Sequence, residues 1–518
     1  MADDEGPRGG TSLGRGDGRH RHHQLEPTPQ QGIRTTLALV ALINLSWSLY
    51  QLPLIRVAES RLCYDFYAAN DPSVIPPHAR IPEALCKIDP VQQALSRIQR
   101  VMETSWVAGD FLMTIPLVSL AELYGRRCVL WLNLVPRAAL LTWTLTVGYF
   151  DQGLPVNALM LGPFLSLLGG DCVFNSLVYS LVSGLTDDHI LRATFFGFMN
   201  AVSSISASQI GPAFASGTMS ISLWLPLWIG IVLLLVALPV ISALPSGLAP
   251  DDTPAFADDH DATPLLWSPA PGIATSKREL GTMVVNRFRA ILGTLTTPSR
   301  NFNILLLCFF CTSLASSDTK LLPQYISTRY HWTIASVGYL LSCKAVLNFI
   351  VLTLIIPVLL RLRKPLNLTG ASTRDRQDAV DRAHIRHANI CIAFSVLGAV
   401  AIALSPTIWF LVPSLLLYGL GIALPMFTYS LLKSPSLALG ESSLSTSKDR
   451  RSETHVFSIV MLTKAVGTLL GAVLMPTLWI VAIRLKGAAF GLPYIASAVC
   501  YGLGGAMLAR MKLLASHM

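Results

Sequence analysis

Val118-Ser119-Leu120-Ala121-Glu122-Leu123-Tyr124-Gly125-Arg126-Arg127 decides how the rest of this chain is read. A glycine permits a sharp turn, two arginines follow it at once, and a carboxylate stands just before it. An apolar run lies on either side, 101–121 and 128–149. Each has about the 20 mostly apolar residues that a helix needs to cross roughly 30 Å of hydrocarbon. The segment is therefore a short polar turn between two membrane-crossing helices. Glu122, at one helix end, is placed to pair with arginines on a neighbour and latch that side of the bundle.

The same pattern repeats outward. Apolar runs of spanning length occupy 33–56, 101–121, 128–149, 157–184, 193–216, 221–244, 302–326, 333–360, 388–405, 408–432, 455–482 and 488–509, twelve in all. Composition agrees: the 518 residues are 52% AVILMFWYC and 13% DEKR, and the mean hydropathy is +0.53. An ordinary globular protein is about 25% charged, so this chain has too little charge to coat a soluble surface. A soluble enzyme, a disordered scaffold and a nucleic-acid binder are excluded. The predicted class is an all-α membrane protein with twelve transmembrane helices in two six-helix halves.

Between the halves lies the longest connection. The expected organisation is a disordered cytoplasmic tail (1–32), an N-terminal half (33–244), a linker (245–301), a C-terminal half (302–510) and a short cytoplasmic tail (511–518). No apolar stretch starts near Met1, so the tail is not read as a signal peptide. The linker begins acidic and Pro-rich. It ends with Leu280, Val284, Phe288, Ile291 and Leu295 at helical spacing, an amphipathic helix lying either on the membrane surface or against protein. Lys and Arg fix the orientation by the positive-inside rule: 26 fall in the segments on the side of the N-terminal tail and 7 on the other. Both termini are expected in the cytoplasm, and the net charge of +9 marks topology rather than a polyanionic partner. The long connection 59–97 then lies outside and carries Cys63 and Cys86, a plausible disulfide in an oxidising compartment. The sequon at Asn367 falls inside, away from glycosylation. His20, His22 and His23 form a solvated run. No spacing suits a metal, and no P-loop or cofactor motif is present.

The turn at 118–127, with twelve runs and a central linker, resembles the major facilitator superfamily. That family's signature is Gly-xxx-Asp-xx-Gly-Arg-Arg/Lys in this loop; here Val118 and Glu122 replace the first Gly and the Asp. The resemblance covers residues 33–510 and implies that family's fold. It extends to Thr186-Asp187-Asp188-His189-Ile190-Leu191-Arg192, which looks like the acidic–arginine partner of the first signature. Glu122, Gly125, Arg126, Arg127, Asp187, Asp188 and Arg192 would form a cytoplasmic latch. Gly211-Pro212 sits in a stretch resembling the span-five signature of proton-linked exporters and would serve as a helix hinge. The arginine that exporters usually carry in span four is missing; Asp171 is there instead.

Ionisable residues inside spans are costly and are candidate working parts. Asp110, Asp171, Asp318, Lys320, Lys344 and Lys464 lie on helices that, by the resemblance, line the central cavity. Asp171 is the first candidate for a proton carrier, and the lysines could neutralise an acidic or enolic substrate; structural pairing of Asp with Lys is the alternative. Lys320 could instead sit at the outer mouth. Arg137, on a peripheral span, reads as structural. Trp47, Tyr50, Trp106, Phe174, Tyr179, Tyr325, Tyr339 and Phe427 read as packing.

The expected function is proton-coupled efflux of a small organic molecule by alternating access. The style of the chain resembles filamentous-fungal exporters of secondary metabolites. The alternatives are a proton symporter importing an organic anion or nutrient, and a transporter-like receptor. The expected partners are a small-molecule substrate, protons and membrane lipids, in a monomer of the plasma membrane.

Overall fold

A computed structural model of the protein describes residues 29–76, 81–150, 153–183, 189–244, 300–350, 373–424, 427–428, 431 and 446–511. The regular structure among them is helical. The N-terminal half contains α1 (Pro29–Asn70), α2 (Asp89–Tyr124), α3 (Arg126–Tyr149), α4 (Asp171–Ser183), α5 (His189–Ser204), α6 (Gly211–Ile221) and α7 (Leu225–Ser242). The C-terminal half contains α8 (Arg300–Ser316), α9 (Leu322–Tyr330), α10 (Ile334–Ile350), α11 (Thr373–Leu404), α12 (Ile408–Gly419), α13 (Thr446–Leu485) and α14 (Leu492–Ala509). Among the described residues, seven helical stretches are long and apolar enough to cross a membrane, and three shorter ones are apolar. Residues 1–28 of the expected tail, 245–299 of the linker with its expected amphipathic helix, Asn367, Asp187 and Asp188 lie outside the described residues, whereas Pro29–Gly32 of the expected disordered tail are already helical, in α1.

Buried apolar side chains form two large separate clusters. One is drawn from the first half with Ile334 added; the other comes wholly from the second half. Sequence-distant helices supply each: α1 packs on α7, and α11 on α14. Lipid-facing positions need no polarity, so both clusters are ringed by exposed apolar side chains such as Trp228, Leu235, Trp409 and Phe410.

Two expectations are corrected. The connection expected over 59–97 is much shorter, because α1 runs to Asn70 and α2 starts at Asp89. Past the apolar run α1 is held by polar packing: Glu59 is buried and accepts from Lys87 Nζ at 2.6 Å. The second correction concerns the run 157–184, which is not one helix. A 3-10 stretch (Val156–Leu168) is separated from α4 by Gly169 and Gly170. Gly169 has φ +139°, a backbone conformation that side-chain-bearing residues avoid.

Similar irregularities recur. A π-helical stretch (Ile205–Ile210) joins α5 to α6, a 3-10 stretch (Ser317–Lys320) joins α8 to α9, and another (Leu420–Ala423) follows α12. Such mid-helix departures mark hinges and functional sites.

Cys63 and Cys86 are bonded, 23 residues apart, in a small satellite core with Ile81 and Val91. Closing a loop of this size stabilises the fold by about 3 kcal/mol through the unfolded chain. Cys63→Ser is expected to lower the melting temperature of the purified protein by several degrees. An unchanged transition with and without reductant would contradict this.

Candidate functional site

In the first half the charge gathers at the break before α4. Asp110, on α2, is 5% exposed. Its Oδ2 accepts from the backbone N–H of Cys172 at 2.9 Å, in the first turn of α4, where N–H groups lack helical partners. Its Oδ1 is buried without a hydrogen bond. The glycines allow this approach: a Cβ on Gly170 would lie 2.3 Å from Asp110 Cγ. Asn133 Nδ2 donates to the Gly170 carbonyl at 2.9 Å and so satisfies the acceptor that the break exposes.

Asp171 has a different environment. Its carboxylate accepts from Arg137 Nη2 at 2.6 Å, and 44% of its side chain is exposed. Arg137, 3% exposed, comes from α3 and also donates to Asn133 Oδ1 at 3.3 Å. Its guanidinium lies 5.4 Å from the ring centre of Trp47 and 5.6 Å from that of Phe174. Trp47 stacks on Trp106 at 4.5 Å and on Tyr50 at 5.2 Å. Four of the aromatics read as packing therefore form one patch beside the arginine. The signal that could have found it was the arginine itself, since an unpaired guanidinium in an apolar run needs a carboxylate and aromatic faces.

In the second half charge again stands at a break. Asp318 lies in the 3-10 stretch between α8 and α9 and is 0% exposed. Tyr418 Oη, from α12, donates to Asp318 Oδ1 at 3.0 Å and reaches Oδ2 at 3.3 Å. Tyr501 Oη, from α14, is 3.2 Å from Tyr418 Oη. The Lys344 ammonium, on α10, lies 5.4 Å from the Tyr418 ring centre and attracts the Asp318 carboxylate. Neither tyrosine stood out in the sequence, because only the folded chain brings 318, 344, 418 and 501 together.

The six cavity candidates thus separate. Asp110 and Asp171 share one centre, and Asp318 and Lys344 another. Lys320 belongs to neither: it pairs with Glu103 on α2 and is half-exposed, tying the two halves together. Lys464 is half-buried on α13. Among the residues expected to form a latch, Gly125 makes the turn with φ +86°, Arg126 and Arg127 open α3, Glu122 lies in the last turn of α2 and Arg192 on α5. Gly211 lies where α1 crosses: a Cβ there would meet Ser48 Oγ at 2.1 Å. Ser48 donates to the carbonyl of Ala207 in the π-helical stretch at 2.8 Å. Pro212 follows at the start of α6.

No protein-family model matches the chain. The chain is similar to the MFS efflux pump atnC of Emericella nidulans, 26% identical over 90% of this chain and 85% of that one. It is also similar to the MFS-type transporter aprT of Aspergillus flavus, 25% identical over 82% and 77%. Among solved structures it resembles the human organic anion transporter MFSD10, with TM-score 0.57 and 15% identity over 93% of this chain and 100% of that one. A POT-family peptide transporter matches with TM-score 0.52 and 14% identity over 93% and 94%. At such identities the structures speak for the fold alone.

Proposed function

Starting from a transporter of the major facilitator type, which is not an enzyme, we propose that this chain exports a small organic molecule in exchange for protons. The observation that carries the reading is that each half keeps buried charge where a helix breaks. Charge is costly inside apolar helices and is kept there for a transported group or ion. The direction follows the curated relatives, two of which are named as efflux pumps.

The roles within the site follow from the geometry. Asp110 takes the proton in place of Asp171. One of its oxygens is buried and free, whereas Asp171 already has a guanidinium. Asp171, Arg137 and Cys172 are the titratable or charged groups facing it. Arg137 also supplies, from α3, the arginine that span four lacks, which favours export over the symport alternative. Lys344 meets an acidic or enolic group of the substrate, because Asp318 is already engaged by Tyr418. The plasma membrane, cytoplasmic termini, a twelve-span count and a monomer complete the reading. Glu122, Gly125, Arg126, Arg127, Asp187, Asp188 and Arg192 remain the proposed latch, and Gly211-Pro212 the hinge.

Inverted membrane vesicles provide the test. With an acid interior, they are expected to accumulate the substrate from culture-extract metabolites, and a protonophore should abolish the uptake. Accumulation only in right-side-out vesicles would show import. Accumulation insensitive to the protonophore would remove the proton.

A further inference from the structure

We propose that Gln92 is the centre of a clamp that closes one face of the bundle, held in place by the disulfide-bridged connection between α1 and α2. Gln92 lies in the first turn of α2 and is buried. Its side chain works in both directions. The amide nitrogen donates within its own half, to Glu59 Oε1 at 2.7 Å and to the Cys86 carbonyl at 3.2 Å. The amide oxygen accepts from the other half, from Thr328 Oγ1 at 2.9 Å and Gln324 Nε2 at 3.2 Å, both on α9. Gln324 also donates to the Gln92 backbone carbonyl at 3.0 Å and accepts from Ser96 Oγ at 3.1 Å.

The bridged connection adds a second contact across the halves. Lys87 is ion-paired to Glu59 at 2.6 Å and to Glu83 at 3.0 Å. Glu83 in turn accepts from the backbone N–H of Ile334, the first residue of α10, at 2.9 Å. Around this centre lie Lys486 with Asp89 at 2.6 Å, Arg484 with Gln93 at 3.2 Å and Arg100 with Thr477 at 3.1 Å. The N-half partners of all these contacts fall between Glu83 and Glu103, so they act on one face. Close packing continues that seam: a Cβ on Gly338 would lie 1.9 Å from Ser216 Oγ and 2.9 Å from the Pro212 carbonyl.

The chemistry suits a contact that must open and reclose. Neutral amide and hydroxyl hydrogen bonds exchange for water at small net cost, whereas a cross-half buried ion pair would resist separation. The buried charges of the network, Glu59, Lys87 and Glu83, instead lie within one half, and the cross-half pair of Lys486 with Asp89 is solvent-exposed. The disulfide fixes Cys86, whose carbonyl orients the Gln92 amide. On the proposed orientation this face is the outer one; the clamp itself does not depend on the direction of transport.

Double electron–electron resonance tests it without substrate. Maleimide-linked spin labels are placed at the exposed positions Tyr64→Cys and Leu485→Cys, on opposite halves, with the exposed Cys128, Cys172 and Cys343 replaced by serine. Loss of one or two such bonds shifts a two-state balance by roughly tenfold. Gln92→Ala is therefore expected to add a longer-distance population of about that relative size. Thr328→Val, which deletes one bond, should give a smaller shift in the same direction, and reducing Cys63–Cys86 in the otherwise parental chain should do the same. If Gln92→Ala does not fold, the valine variant and the reduction decide. Distance distributions superimposed on the parent's in both would overturn the clamp.

Discussion

Asp318→Asn is expected to destabilise the purified protein by about 1–3 kcal/mol, the usual cost of leaving a buried hydrogen-bonding group unsatisfied. Asp318 is fully buried and accepts from Tyr418 with both oxygens. Its charge faces the Lys344 ammonium. An amide keeps one acceptor for the Tyr418 hydroxyl but turns a charge-assisted hydrogen bond into a neutral one. Lys344 is also left without its carboxylate. Lys344→Met alone should cost less, because Tyr418 still donates to the carboxylate. The double variant should recover part of the loss, because the Lys344 charge no longer stands beside a neutral amide. Transport is expected to stay at least tenfold down in the double variant, since Lys344 is the proposed contact for an acidic substrate. Thermal unfolding in detergent and initial rates in vesicles separate the two effects. A single variant as stable as the parent would show that the pair is not coupled. A double variant with full transport would remove Lys344 from substrate binding.

The second large effect is at Asp110, where the cap and the charge can be separated. Asp110→Asn keeps an oxygen that can accept from the Cys172 N–H and keeps the side-chain shape. It is expected to fold with stability within about 1 kcal/mol of the parent, yet to lose proton-driven accumulation. Exchange of labelled substrate at equal pH on both sides should survive, because that process needs no net proton movement. Asp110→Ala leaves the N–H at the start of α4 buried without a partner, a penalty of about 1–3 kcal/mol. Proton-driven accumulation by Asp110→Asn at the parental level would refute the proton role. Gly170→Ala is an independent probe: its methyl would fall where the Asp110 carboxylate now lies, 2.4 Å from Oδ1. It should impair transport while leaving every charged group in place.

These two centres show how the sequence and the tertiary structure divide the information. The turn at Gly125 was legible because glycine between two apolar runs acts locally; its φ of +86° is a property of one residue. The break before α4 was missed: 157–184 reads as a single apolar run, and only the folded backbone shows that Gly169-Gly170 divides it directly before Asp171. Asp110 as the buried, half-partnered carboxylate was not legible. Nothing near it in sequence distinguishes it from Asp171; the difference is made by Cys172, 62 positions away, and by Arg137, 34 positions from Asp171. Lys320 likewise resembled a cavity lysine until Glu103 proved to be its partner.

The sequence by itself determined the membrane class, the order of apolar runs, the asymmetry of basic residues and the identity of the few charges those runs contain. These depend on hydrophobicity and length, which add up residue by residue along the chain. Only the tertiary structure decided which charges meet, which carboxylate keeps a free oxygen and which face is clamped. Pairing depends on a few ångströms between helices far apart in sequence, and inside a low-dielectric core that distance decides whether a charge is held, shared or left open to a proton.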